Sequence, residues 1–345
     1  MKLATTKRAE IIRRFLLTSI RAGNTEYFHD AMETFELSRQ AVHSHLSQLV
    51  KMGFLAALGN TRGRTYVPGP VRSHTSISKL TGLKESDVYR HSFGFIFKDL
   101  PRELENICHY GFTEILNNAI DHSEGAEVKI TVDRTKEKIK ITIADDGEGI
   151  FIHVARLLQL SDPRESLLEL SKGKLTTDPA NHTGQGIFFT SRAFDKFMIS
   201  SGDLVFSHED GQHNDWLLHD DINNHGTYVA MEISLSSERI LKEVFAAFTG
   251  SEDEDFAFNK TVVPVKLVLY EGESLVSRSQ AKRILNRVEK FSTVILDFSG
   301  VHSIGQAFAD EVFRVFARAH PQITLIPVET NSDVNRMIHT AKHHD

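Results

Sequence analysis

Glu114 and Asn118 stand four residues apart in LPRELENICHYGFTEILNNAIDHSEG, where Leu104, Ile107, Cys108, Phe112, Ile115, Leu116 and Ala119 keep a helical period up to Gly125. One helix face therefore presents a carboxylate and an amide together, with Asp121 and His122 a turn further on. About thirty residues later ITIADDGEGI, at 141–150, reads in two ways. Asp-Gly after a β-branched run is a strong hairpin signal. It is equally suited to a nucleotide, with an aspartate fixing a base and glycines letting the backbone come close. In HTGQGIFF, Gly184, Gln185 and Gly186 stand just before an apolar helical run, where exposed amides and the positive end of the helix suit a phosphate.

Other readings of these glycines fail on detail. GQGIFF lacks the third glycine of a dinucleotide fingerprint and follows a loop where that motif needs a strand, and no GxxxxGK[ST] occurs. DDGEGI lacks the alternating carboxylates of a calcium loop.

The elements that must carry these residues divide the chain. At 345 residues, with 40% hydrophobic and 25% charged side chains, it has the length of two or three soluble domains. No apolar run approaches the ~20 residues of a membrane helix, and the start, MKLATTKRAEIIRRF, lacks a signal-peptide core. Cys108 is the single cysteine, which excludes an internal disulfide framework and suits a reducing compartment. A cytoplasmic protein without a membrane partner is expected. The net charge of −6 hides an asymmetry: residues 1–80 hold twelve Lys and Arg against five Asp and Glu, a basic segment suited to a polyanion.

In that segment Ile11, Ile12, Phe15, Leu16 and Ile20 form a helical stripe ended by Gly23. Ser38 is placed to cap a second helix that buries Val42, Leu46, Leu49 and Val50, and FLAALGNTRGRTYVPG reads as a hairpin. The ensemble resembles winged helix-turn-helix domains over about residues 5–68. The resemblance implies binding to double-stranded DNA, with Arg39, Gln40, His43, Ser44 and Ser47 facing the major groove and Arg62 and Arg64 on the wing touching the backbone or minor groove.

Residues 69–100 read as a connector, partly helical. Beyond them come the helix of Glu114, the strands AEVKITVDR and KIKITIADD, the stretch 151–183 with little regular structure, the GQG helix, and strands at DWLLHDD and TYVAMEISL. This order of helix, hairpin, DxGxG, lid, GxG, helix and GT strand resembles the GHKL ATPases, which include the gyrase B subunit, MutL, heat-shock chaperone ATPases and sensor histidine kinases. The resemblance implies ATP and Mg²⁺ as ligands. It gives Asn118 the metal, and Glu114 the orienting or deprotonating of water in members that hydrolyse ATP. It places Asp145 at the adenine amino group, with Gly147, Gly149 and Ile150 at base and sugar and Thr227 on the aspartate through water. Asp121 belongs to the first motif, and Lys172 and Lys174, on a lid at 171–186, reach the phosphates. A sensor kinase needs an acceptor such as HExxxP, which is absent, and His91 and His109 read as ordinary helix residues. Anti-sigma serine kinases also carry the glutamate, so phosphotransfer to a separate partner stays the alternative to ATP hydrolysis.

Past a helix and the acidic linker GSEDEDF, strands alternate with helices from 261 on. VILDFSGVHSIGQAFADEVF resembles STAS domains, and more closely a STAS-like domain of unknown function found beside GHKL modules. Where the anti-sigma antagonists have Asp-Ser-Ser this chain has Gly305, Gln306 and Ala307, with Ser303 two residues early. A protein-interaction or dimer surface is therefore expected rather than a phosphorylation site, with Phe308, Phe313 and Phe316 in the core. The expected fold is multidomain, α+β and α/β. It comprises a winged helix (1–68), a connector (69–100), a GHKL α/β sandwich (101–235) with a mixed sheet and helices on one face, a helix and linker (236–260), and a small STAS-like α/β domain (261–345). The chain is expected to form a homodimer.

Overall fold

A computed structural model describes residues 2–60, 64–175, 184–209, 216–250, 258–269 and 273–343. Helices α1 (Lys2–Arg21), α2 (Tyr27–Phe35) and α3 (Arg39–Lys51) pack around Leu16, Ala31, Val42 and Leu46. The antiparallel hairpin of β1 (Leu55–Leu58) and β2 (Thr65–Pro68) closes this core with Leu55 and Tyr66. Ser38 caps α3, its Oγ accepting from Ala41 N at 3.2 Å, a bond worth about 1 kcal/mol at such a position. On α1, Ile12, Leu16 and Ile20 are buried, whereas Ile11 lies one position off the seam and is exposed.

The connector expected over 69–100 belongs instead to the central domain. Its first part is β3 (Arg72–Lys79), which pairs with β4 (Glu127–Arg134) along its whole length. Then come α4 (Glu85–Asp87), a π turn at Val88–Phe93 and α5 (Gly94–Phe97), which send Phe93, Ile96 and Phe97 into the core. Arg72 and Arg134, paired across β3 and β4, fix this segment: Arg72 Nη1 donates to the carbonyls of Phe95 and Lys98 at 2.7 and 2.8 Å, and Arg134 Nη1 to those of Ile96 and Lys98 at 2.9 and 2.7 Å. Positive charge at the carbonyl end of a helical run is favourable. SHTSISK hides its strand because an edge strand gains its stability from ladder hydrogen bonds and needs few apolar residues.

Next come α6 (Arg102–His122), β4, β5 (Lys138–Asp145), α7 (Ile150–Leu158), α8 (Glu165–Lys172), α9 (Gly186–Ala193), β6 (Lys196–Glu209) and β7 (Trp216–Ser234). The five strands lie in the order β3-β4-β5-β7-β6, every pairing antiparallel where a mixed sheet is expected. Val128, Ile130 and Val132 alternate on β4, as do Ile139, Ile141 and Ile143 on β5, and they bury one sheet face under Ile107, Phe112 and Leu116 of α6. The stretch expected to have little regular structure contains α7 and α8. Half of the proposed lid, 176–183, lies outside the described residues, and the rest includes the end of α8 and the head of α9.

The last part has α10 (Leu241–Ala246), β8 (Lys260–Pro264), α11 (Arg278–Leu285) and β9 (Thr293–Asp297). It continues with α12 (Gln306–Asp310), which runs through a π turn into α13 (Ala317–Ala319), then β10 (Thr324–Val328) and α14 (Ser332–His343). The sheet is parallel in the order β10-β9-β8. Phe308 and Phe313 are buried as expected and Phe316 packs beside them. This core does not close on itself: Leu168 of α8 and Phe188 and Phe189 of α9 are part of it, Phe188 meeting Phe248 and Phe189 meeting Phe245 edge-on, with Phe258 tilted against both.

Candidate nucleotide site

Between α6, α7, α9, the end of β5 and the interior of β7 lies a cavity of about 440 Å³, within the range of small-molecule sites. Glu114 and Asn118, four apart on α6, both line it, together with Asp145, Gly149, Ile150, Gly184, Gly186 and Thr227.

Asp145 ends β5, and its Oδ1 accepts from Gly147 N at 3.0 Å and Thr227 N at 3.1 Å. Thr227 Oγ1 in turn accepts from Ile150 N at 3.0 Å, so one threonine ties the aspartate to the first turn of α7. Thr227 thus meets the aspartate directly through its backbone amide. Burial raises the Asp145 carboxyl above the ordinary range, against the pull of the two amides.

The glycines of DDGEG have different tasks. Gly149 takes φ 92°, and a side chain there would also strike Ser201 Oγ. Gly147 does not line the cavity: a side chain on it would collide with the Ser123 carbonyl at the end of α6, so its smallness serves the packing of loop on helix. Asp146, with no role readable in the sequence, locks the loop from the other side, Oδ1 accepting from Ala126 N and Glu127 N at 2.8 Å each.

At the other end, Gly186 opens α9 and the Glu114 carboxylate lies against it, so close that a side chain on Gly186 would collide with Oε2. The carboxylate thus stands at a helix N-terminus, beside the place where amides can take an anion. The Asn118 Nδ2 is buried with no hydrogen-bond partner among the described residues. A half turn of the side chain exchanges amide nitrogen and oxygen, so Asn118 can offer the cavity a hard oxygen donor of the kind Mg²⁺ accepts. The donor set fits that ion.

Several expected site residues stand elsewhere. Asp121 is exposed and, like Gln185, lies outside the cavity lining. Lys172 is 1% exposed and turned away. Its Nζ meets Glu169 Oε1 at 2.7 Å and the carbonyls of Arg283 and Asn286 at 3.1 and 2.8 Å. Lys174 Nζ donates to the Lys290 carbonyl at 2.6 Å and lies over the Phe291 ring. Both lysines are therefore engaged by the C-terminal domain rather than by the cavity. In the N-terminal domain Arg39, Gln40, His43, Ser44 and Ser47 are exposed on α3 and Arg64 on the hairpin, while Arg62 lies outside the described residues.

Residues not expected also line the cavity, among them Asn117, Ser123 and His153. His153 Nδ1 is 2.5 Å from Glu148 Oε1. Burial opposes ionisation of Glu148, but Arg156 and His153 outweigh it and hold its carboxyl below the ordinary range. Glu124, Glu148 and His153 come close enough to hold a metal ion, yet Arg156 Nη2 already bridges the two carboxylates at 2.9 and 2.6 Å. Helical spacing from Ile150 was the only signal that could have found His153.

A helix bearing Glu114 and Asn118, an antiparallel sheet ending in Asp145, and a glycine-headed helix opposite define an ATPase domain of the GHKL type. Residues 105–233 match the family described as histidine kinase-, DNA gyrase B- and HSP90-like ATPases. Residues 280–335 match a STAS-like domain of unknown function. No curated protein matches the chain. Among the described residues no helix is long and apolar enough to cross a membrane.

Proposed function

We propose that the protein is an ATP-binding and ATP-hydrolysing regulator that binds double-stranded DNA through its N-terminal domain. The observation that carries the nucleotide part is the convergence of Asp145, Asn118 and the head of α9 on one cavity. Both bonds to Asp145 fall on Oδ1, so its second oxygen is what it offers an adenine amino group. Asn118 would hold Mg²⁺, which neutralises phosphate charge when bound. Glu114 would orient and deprotonate the attacking water, and the amides of α9 take the terminal phosphate.

Support for the DNA part is the exposed row Arg39, Gln40, His43 and Ser44 on a capped helix in a basic segment. The chain would work as a cytoplasmic homodimer, and its C-terminal domain would offer a surface to a regulatory protein.

Calorimetry with Mg·ATP tests the site. Asp145→Ala should weaken binding by about tenfold to a hundredfold, the worth of one charge-assisted hydrogen bond. Only the ionised carboxylate accepts on both oxygens, and its carboxyl is raised. Wild-type affinity should therefore fall on acidification from a higher pH than an ordinary aspartate would give, and Asp145→Asn should lose that dependence. No ATP binding by the wild type ends the reading. With γ-labelled ATP, release of free phosphate supports hydrolysis, and label on an added protein turns the reading to a kinase.

For the N-terminal domain, a gel shift of duplex DNA that weakens steeply with salt is expected. Arg39→Ala should weaken it, and a shift indifferent to this substitution removes α3 from the interface.

A further inference from the structure

Arg287 stands between α11 and a 3-10 turn at Val288–Lys290, with φ at 62°, a left-handed backbone that residues with a Cβ rarely take. Its guanidinium leaves its own domain. Nη1 donates to Glu169 Oε2 at 2.8 Å and Nη2 to the Lys174 carbonyl at 2.6 Å. Each contact is one residue from the cavity wall, since Leu170 follows Glu169, Leu175 follows Lys174, and both leucines line the cavity. The second contact carries further: Leu175 N donates to the Gly184 carbonyl at 3.1 Å, and Gly184 is two residues from the head of α9.

We propose that Arg287 is a positioning residue of the nucleotide site, holding from the C-terminal domain the wall of the cavity at its α9 end. Through it the C-terminal domain sets the affinity for the triphosphate part of a nucleotide. This rests on the nucleotide reading above and adds to it a regulatory input. The two acceptors lie on separate segments, and the guanidinium meets each with a different nitrogen of one planar fork, a spacing that the single nitrogen of an ammonium does not reproduce. The Asp145 end does not depend on Arg287, because β5, β7 and Thr227 hold it. Docking of the two domains does not depend on Arg287 alone either, since Lys172 still reaches Arg283 and Asn286, and Thr261 Oγ1 still donates to the Lys172 carbonyl at 2.7 Å.

Full-length Arg287→Gly and Arg287→Lys are to be compared with wild type by calorimetry, using a non-hydrolysable ATP analogue with Mg²⁺ and, separately, adenosine. Glycine favours the left-handed turn, so any loss in Arg287→Gly comes from the missing guanidinium and not from a strained backbone. Analogue binding should weaken about tenfold in Arg287→Gly, be restored only in part by Arg287→Lys, and leave adenosine within about twofold. Equal weakening of both ligands, or unchanged affinity for the analogue, overturns the proposal. A wild-type protein that binds neither ligand overturns the nucleotide reading, and this inference with it.

Discussion

Replacing Glu114 by glutamine is expected to leave Mg·ATP bound while turnover falls by about 10² to 10⁴, the contribution of a positioned general base. The side chain keeps its size and its place on α6 against Gly186, and only its basicity goes. Its setting gives a second expectation. The carboxylate stands at the N-terminus of α9, where its negative charge is favoured and where an incoming phosphate would meet it as a like charge. The neutral glutamine should therefore bind ATP no more weakly than wild type. The check pairs single-turnover phosphate release with calorimetry. Turnover that survives the substitution would assign water activation to another group, and a parallel loss of binding would make Glu114 a ligand contact.

The second large effect concerns stability. Glu169 is buried between Lys172 and Arg287, with Oε1 2.7 Å from Lys172 Nζ and Oε2 2.8 Å from Arg287 Nη1. Breaking such a pair by removing one partner leaves uncompensated buried charge, at a cost of about 3–5 kcal/mol. Glu169→Ala should therefore lower the denaturation midpoint markedly, whereas Lys172→Met, which leaves Glu169 its bond to Arg287, should cost less. The pH dependence follows from the lysine. Burial lowers its proton affinity below the ordinary value of 10.5 even with Glu169 in place. Between that lowered value and 10.5 the unfolded chain binds the extra proton, so stability contributed by this group rises with pH across that window. Without Glu169 the window widens towards neutrality, and denaturant titrations from pH 7 upward should show the variant recovering more than wild type. A flat difference would mean that Lys172 is not held charged in the fold.

Much of the site was legible beforehand because it rests on local rules. The four-residue spacing of Glu114 and Asn118 puts both on one helix face whatever surrounds the helix, and DDGEG after a β-branched run had to be a turn at a strand end. Asp145, Gly149, Gly184, Gly186 and Thr227 line one cavity with them. Other readings failed where the answer depended on partners far along the chain. Lys172 and Lys174 carry the charge a phosphate would want, and their spacing from the GQG turn allows it. Their fate was decided by carbonyls at 283, 286 and 290, more than a hundred residues away. Gly147 looked like a glycine cleared for a ligand and is cleared for the Ser123 carbonyl. Segment 69–100 read as a connector because β3 has few apolar residues, and two arginines bonded to helical carbonyls make it part of the sheet.

By itself the sequence determined the helix of Glu114 and Asn118, the alternation of β4 and β5 and the turn that follows Asp145, since periodicity and turn chemistry act over a few residues. Only the tertiary structure decided which cations face the cavity and which face the C-terminal domain. A long charged side chain can be satisfied by any anion or carbonyl within its reach, and folding alone brings one of them there.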